Sequence, residues 1–139
     1  MIVRKLFTTF TILSVFILAL TGCSMEEDTV PAELQGAWTG VGTLSVGEKY
    51  IFHSNSLTYN KPGGAIEAKI ERAFIEENKN KETKVDYPTE YNLFGEIKSG
   101  SGTFDHLVAG HQYSIDIFLN EDKNVFITDW GENSVFSKQ

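Results

Sequence analysis

Short segments of alternating apolar and polar residues, each ended by a turn, run through the chain from about residue 34 onward. Tyr113, Ile115, Ile117 and Leu119 share one face, with Ser114, Asp116 and Phe118 on the other, and residues 91–98 alternate in a similar way before Ser-Gly-Ser-Gly at 99–102. The strongest break is Asn-Lys-Pro-Gly-Gly at 60–64. Alternation of period two is typical of strands with one buried face. The sequence therefore predicts an all-β antiparallel fold, either a sandwich or a barrel.

Residues 65–77 fit two structures. Ile66, Ile70 and Phe74 fit the inner face of a strand, with Arg72 breaking the alternation. The same three apolar residues also share one face of a helix, and the surrounding Ala, Glu and Lys favour helix. The strands predicted on either side favour one long strand here, and a helix stays the alternative.

The N-terminus has the three-part layout of an export signal. Arg4 and Lys5 form a basic start, residues 6–20 are free of charge, and Leu-Thr-Gly-Cys ends the stretch at 20–23. The apolar run is too short for a membrane span, which needs roughly 20 residues. We therefore expect residues 1–22 to be a signal peptide.

Leu20-Thr21-Gly22-Cys23 resembles the lipobox of bacterial lipoproteins. The resemblance implies cleavage before Cys23, the only cysteine of the chain, and diacylation of its thiol, so that the mature protein carries two or three palmitate-type acyl chains. It also implies an exported protein that is lipid-anchored to the bacterial cell membrane. Ser24 after the cysteine favours the outer membrane in a diderm host; in a monoderm host the protein would lie on the outer face of the plasma membrane.

The processed chain is strongly acidic. Removal of Arg4 and Lys5 leaves ten basic against nineteen acidic side chains, a net charge of −9. This charge repels phosphate backbones, so nucleic acid is not an expected partner. Anionic headgroups are repelled as well, so the acyl chains must supply the membrane attachment. We expect residues 23–33 to form the lipidated tether and residues 34–139 the folded domain.

Gly36-Ala37-Trp38 resembles the Gly-x-Trp signature of lipocalins. The closing segment 113–138 is similar to the end of small bacterial lipocalin-like lipoproteins. The resemblance implies an up-and-down antiparallel barrel of about eight strands, in which Trp38 plugs the base beneath a basic side chain from near the C-terminus. No arginine lies there, and Lys138 is the only basic candidate to cover Trp38.

Aromatic residues are numerous for a domain of this size. In an eight-stranded barrel, inward side chains either fill the lumen or line a cavity for one small ligand. Glycines opposite the aromatic rings would leave space for such a ligand: Gly40, Gly42 and Gly95. The candidate cavity residues are Phe52, Tyr59, Phe94, Tyr113 and Phe126.

No pattern in the chain points to catalysis or to a metal. The sequence has no Gly-x-Ser-x-Gly elbow and no phosphate-binding glycine motif. His53, His106 and His111 are spaced too loosely for a typical metal site and are expected to be solvated loop residues. We therefore expect no enzyme activity, no cofactor and no metal.

The leading hypothesis is a lipid-anchored envelope protein that binds a small hydrophobic molecule or lipid in its barrel. The alternative is a surface lipoprotein with a filled barrel that binds a protein, as an inhibitor, adhesin or assembly factor. It would use the charged hairpin at 78–84, with Tyr87 and Tyr91 as anchors. A third hypothesis, an enzyme acting on envelope polymers, requires carboxylates that converge in a cleft.

Overall fold

A computed structural model describes residues 24–79, 86–129 and 131–139. Within these ranges it contains a 3-10 helix, Ala32–Leu34, and nine strands. The strands are β1 (Ser24–Glu27), β2 (Gly36–Gly40), β3 (Lys49–Phe52), β4 (Ser56–Lys61), β5 (Gly64–Glu77), β6 (Thr89–Gly102), β7 (Gln112–Leu119), β8 (Val125–Thr128) and β9 (Gly131–Lys138). No helix in the described ranges is long and apolar enough to cross a membrane.

Strands β2 to β9 form a closed antiparallel barrel. Each strand pairs with the next along the chain, and β2 pairs with β9 through Trp38 and Lys138 to close the ring. This confirms the predicted all-β, lipocalin-like up-and-down barrel of eight strands. A closed ring satisfies the sheet edges that a short open sheet would leave exposed.

The barrel has two different ends. The 3-10 helix, the turn at 53–55 and the turn at 120–124 lie at one end, which we call the base. The loops at 41–48 and 103–111 lie at the opposite end, which we call the mouth. Because consecutive strands run in opposite directions, every second connection falls at the mouth.

Strand β5 is the long strand predicted for residues 65–77, and the helix alternative is wrong. Its pairing with β6 shifts register between Ile70 and Arg72, which leaves Glu71 as an extra residue. Such a bulge reverses which side chains face inward. Ile70 and Ala73 are therefore both buried, whereas Phe74, expected inside, lies on the outer face.

The segment expected to be a tether is part of the folded domain. β1 pairs with Ala73–Glu76 of β5, beyond the point where β4 ends, and so covers an edge that would otherwise be free. Val30 is buried, and its N–H donates to the Ser54 carbonyl at 2.7 Å. Leu34 is buried beneath the base. The folded part of the described chain therefore begins at Ser24 rather than at residue 34.

Candidate functional site

Trp38 closes the base of the barrel. Its side chain is completely buried, and its Nε1–H donates to the Leu34 carbonyl at 2.8 Å. Lys138 Nζ lies 5.3 Å from the centroid of the indole ring and donates to the Glu33 carbonyl at 3.1 Å. Gly36, at φ +117°, begins the strand beside Lys138. The three residues that the lipocalin resemblance assigns to the base therefore lie together there.

Aromatic rings fill the lumen above Trp38. Phe126 lies 4.9 Å from Trp38 and 5.0 Å from Phe136 between ring centroids. Phe52 packs edge-on against Phe126 at 6.2 Å. Phe52 and Phe126, proposed above as cavity residues, therefore belong to the packed core, because they point inward at the level that the Trp38 plug already closes.

Phe94 does not face the lumen. Leu93 and Ile97, which share the inward face of β6, are buried in the core, while the Phe94 ring packs edge-on against Phe74 at 5.6 Å on the outer face. Arg72 extends over Phe74 at 5.8 Å. The prediction of Phe94 as a cavity residue is corrected by this placement, which follows from the alternation of the strand.

A cavity of about 550 Å³ opens at the mouth. Pockets of roughly 300–1,000 Å³ are typical of small-molecule sites. Two of the predicted cavity residues line it, Tyr59 and Tyr113. The other lining residues are Leu44, Glu48, Tyr50, Lys61, Ser114, Ile115, Asp116, Thr128, Asp129, Ser134 and Phe136.

Tyr50, Ile115 and Phe136 also line the cavity, although they are not among the cavity residues predicted from the sequence. The signal was present for two of them: Ile115 alternates with Tyr113, and Tyr50 precedes Phe52 on the same face of β3. Whether an inward side chain lines the cavity or belongs to the core depends on its height along the barrel axis relative to the aromatic plug. Alternation shows which side chains point inward, but it does not show their height.

One side of the cavity is a gap in the barrel wall. β7 pairs with β6 from Gln112 to Leu119, but with β8 only at Phe118 and Leu119 among the described residues. Because β8 ends at Thr128, residues 112–117 of β7 have no paired strand on this side among the described residues. Ser114 and Asp116, on the outward face of β7, therefore line the cavity beside Thr128.

Four polar side chains that line the cavity are hydrogen-bonded to one another, in the pairs Tyr59–Glu48 and Thr128–Ser134. The Tyr59 hydroxyl donates to the Glu48 carboxylate. Burial raises the pKa of Glu48, and the nearby Lys61 ammonium partly opposes this by lowering it. At the gap, Asn92 Nδ2 donates to Asp116 Oδ1 at 2.6 Å, and Thr128 Oγ1 donates to Ser134 Oγ at 2.8 Å.

Two further phenols line the cavity. Tyr50 stacks on Tyr59 with ring centroids 4.5 Å apart and meets Phe136 edge-on at 4.8 Å. Burial raises the pKa of Tyr50 well above 10, and the neighbouring Tyr113 and Glu48 add to the rise. Burial also raises the pKa of Tyr113. Both phenols are therefore neutral hydrogen-bonding groups in the native protein at neutral pH.

The glycines expected to open the lumen serve a different purpose. A Cβ at Gly95 would lie 1.7 Å from the Lys69 carbonyl oxygen, and one at Gly40 would lie 1.8 Å from the Ser45 carbonyl oxygen. Both positions allow close approach of a second backbone segment. Gly42 lies in the loop after β2, where its N–H donates to Ser45 Oγ at 3.0 Å.

The hairpin of the alternative hypothesis lies partly outside the described residues, which omit 80–85. Tyr91, suggested as a surface anchor, is buried, and its hydroxyl donates to Glu33 Oε1 at 2.6 Å. Tyr87 is half-buried, and its carbonyl accepts from Asn78 Nδ2 at 2.8 Å. Tyr91 is therefore a core residue. Cys23 also lies outside the described residues.

Titratable residues elsewhere in the described part of the chain form no recognisable metal centre. His53, His106 and His111 are all exposed. Among residues 24–79, 86–129 and 131–139, no group of three His, Cys, Asp or Glu side chains converges as a metal site would require. The mouth cavity is therefore the candidate site.

No family model, curated protein or solved structure matches the chain. The site must therefore be interpreted from its own geometry.

Proposed function

We propose that this protein is a lipid-anchored, lipocalin-like envelope protein that binds a small hydrophobic molecule in the mouth of its barrel. One observation carries the proposal: a cavity of about 550 Å³ opens above a fully packed base. The cavity combines aromatic and aliphatic walls with seven polar or charged side chains besides the tyrosine hydroxyls, and such groups fix the orientation of a bound ligand. A ligand would rest on Tyr50 and Phe136, at the upper end of the aromatic core.

The loops around the mouth expose apolar side chains. Leu44 and Val46 are 64% and 69% exposed, and Val41 and Val108 are also exposed. Leu44 lines the cavity itself. Exposed apolar side chains that cluster at one end of a protein mark an interaction site. Their position at the mouth supports entry of an apolar ligand at this end.

The position of β1 supports attachment of the base end to the membrane. β1 starts at Ser24, directly after Cys23, and Ser24 pairs with Glu76 near the end of β5 that is farthest from the mouth. Twelve residue steps along β5 separate Glu76 from Gly64 at the mouth, about 40 Å at the usual rise per residue. Acyl chains on Cys23 would hold the barrel without a free tether, and the mouth would open away from the membrane.

Native mass spectrometry of the chain from Ser24 to Gln139 tests ligand binding. We expect a discrete adduct that solvent extraction removes, or a mass shift with a member of a lipid panel. Ile115→Trp, which fills the cavity, abolishes the adduct in this account. Ser99→Trp, on the exposed face of β6, is the matched control and keeps it. An unshifted mass across the panel would contradict the proposal and favour a filled barrel that binds a protein.

A further inference from the structure

The Tyr50 hydroxyl is a buried polar group that lacks a hydrogen-bond partner within the described part of the chain. The side chain is 7% exposed, and among the described residues its hydroxyl makes no hydrogen bond. Every fully enclosed polar side-chain atom in the same residues does have a partner. The Tyr50 hydroxyl must therefore reach the cavity that it lines. A ligand group that hydrogen-bonds to it would satisfy a group that burial has separated from bulk water.

The charges around the cavity indicate the sign of that ligand group. Three acidic side chains line the cavity, Glu48, Asp116 and Asp129, against one basic side chain, Lys61. Lys61 is exposed, and its Nζ lies 5.8 Å from the Phe104 ring centroid. The net negative charge of the cavity repels an anion that enters the mouth and attracts a cation.

The hydrogen-bonding pattern favours a donor as well. Tyr59 uses its hydrogen on Glu48, so its oxygen retains lone pairs that accept hydrogen bonds. The carboxylate of Glu48 can also accept from a second donor. The rings of Tyr50, Tyr59, Tyr113 and Phe136 add aromatic surface, whose negative faces attract organic cations.

We propose that the mouth selects an apolar molecule whose polar end is an organic ammonium group, and that it discriminates against the corresponding carboxylate. The aromatic wall takes the apolar part, and the phenol oxygens with Glu48 take the N–H donors. This inference rests on the proposed function, since it names the chemical class of ligand for the same cavity.

Three probes with the same ten-carbon tail test the inference: decylammonium, decan-1-ol and decanoate. Calorimetric titration of the chain from Ser24 to Gln139 should give decylammonium a dissociation constant roughly tenfold below that of decanoate. If decan-1-ol binds and decanoate binds as tightly as decylammonium or more tightly, the proposed ligand class is wrong and the proposed function still holds. Failure of all three probes to bind overturns both.

Variants of the cavity charges sharpen the test. Glu48→Gln should reduce the ratio of decylammonium to decanoate affinity several-fold, and Lys61→Gln should increase it. Glu121→Gln removes the same charge from the exposed turn at the base and should leave the ratio unchanged. If Glu48→Gln fails to fold, as judged by circular dichroism, Lys61→Gln still decides the question. Equal ratios in Lys61→Gln, Glu121→Gln and the parent chain would contradict the inference.

Discussion

The base and the mouth of this barrel are built from similar residues but have different interiors. At the base, Trp38 and Phe126 pack with ring centroids 4.9 Å apart, and Lys138 covers the indole. At the mouth, β7 extends beyond its last pair with β8, and tyrosine side chains line a cavity of about 550 Å³. Closure of the sheet alone therefore does not determine whether a lumen is filled. The aromatic plug fills the lumen at the base, and the part of β7 beyond its last pair with β8 leaves the lumen open at the mouth.

Removal of a large ring should cost far more stability at the base than at the mouth. Trp38→Ala leaves an enclosed void and is expected to destabilise the fold by about 3–5 kcal/mol. Tyr113→Ala enlarges an existing cavity that opens at the mouth, so its loss should be less than half as large. Urea unfolding followed by circular dichroism measures both. Equal losses would show that the two ends are packed alike.

The substitution of tyrosine by phenylalanine should have opposite consequences at the two ends. Tyr91→Phe removes a hydroxyl that donates to Glu33 and should cost about 1.5–3 kcal/mol, since the acceptor is charged. Tyr50→Phe removes a hydroxyl without a partner among the described residues, so stability should stay constant or rise. Thermal unfolding of the two variants at pH 7 compares them. If Tyr50→Phe lost as much stability as Tyr91→Phe, the result would contradict the conclusion that the Tyr50 hydroxyl has no partner.

The Lys138 ammonium, which covers the base, should contribute less to stability than the Tyr91 hydroxyl. Lys138→Met keeps the aliphatic chain over Trp38 but removes the ammonium, and should cost about 0.5–1 kcal/mol. Lys98→Met is the control, because its contact with Glu96 lies on the exposed surface, where ion pairs contribute little. Chemical denaturation of both variants gives the comparison. Indistinguishable losses would mean that the ammonium does not stabilise the plug.

The smallest effect concerns the pH dependence contributed by Glu48. Because burial raises its pKa in the folded state, its contribution to stability is full below the unfolded pKa and declines as pH rises through the folded pKa. Glu48→Gln should therefore gain stability relative to the parent chain as pH rises from about 4 towards neutrality, by less than about 1 kcal/mol at this partly exposed site. Melting temperatures across that range measure the difference. A gain in stability that appears only as pH falls would contradict a raised pKa of Glu48 in the folded state.

Much of the fold follows from local alternation. The period of two identifies the strands, and turn residues such as Pro62 and Gly63 mark where they end. The Gly-x-Trp resemblance led to the pairing of Trp38 with Lys138, which are neighbours across β2 and β9. These features depend on residues close together in sequence or on one short motif.

Other features depend on long-range structure that alternation does not encode. The bulge at Glu71 moves Phe74 outward, and nothing in the local pattern fixes a bulge there. β1 forms because β5 extends beyond β4 and leaves an edge to be paired. The boundary between core and cavity depends on the height of each ring in the lumen, so Phe52 and Tyr50 have different roles although they share one face.

Nuclear magnetic resonance with an apolar probe tests most directly whether ligand binds at the mouth above a filled base. Decan-1-ol would be titrated into the isotopically labelled chain from Ser24 to Gln139 while amide shifts are followed. We predict saturable changes at mouth residues such as Tyr50, Lys61 and Ser114, with the amides of Ala37 and Asn120 at the base unmoved. Shifts of equal size at the base, or none anywhere at saturating probe, would contradict this account.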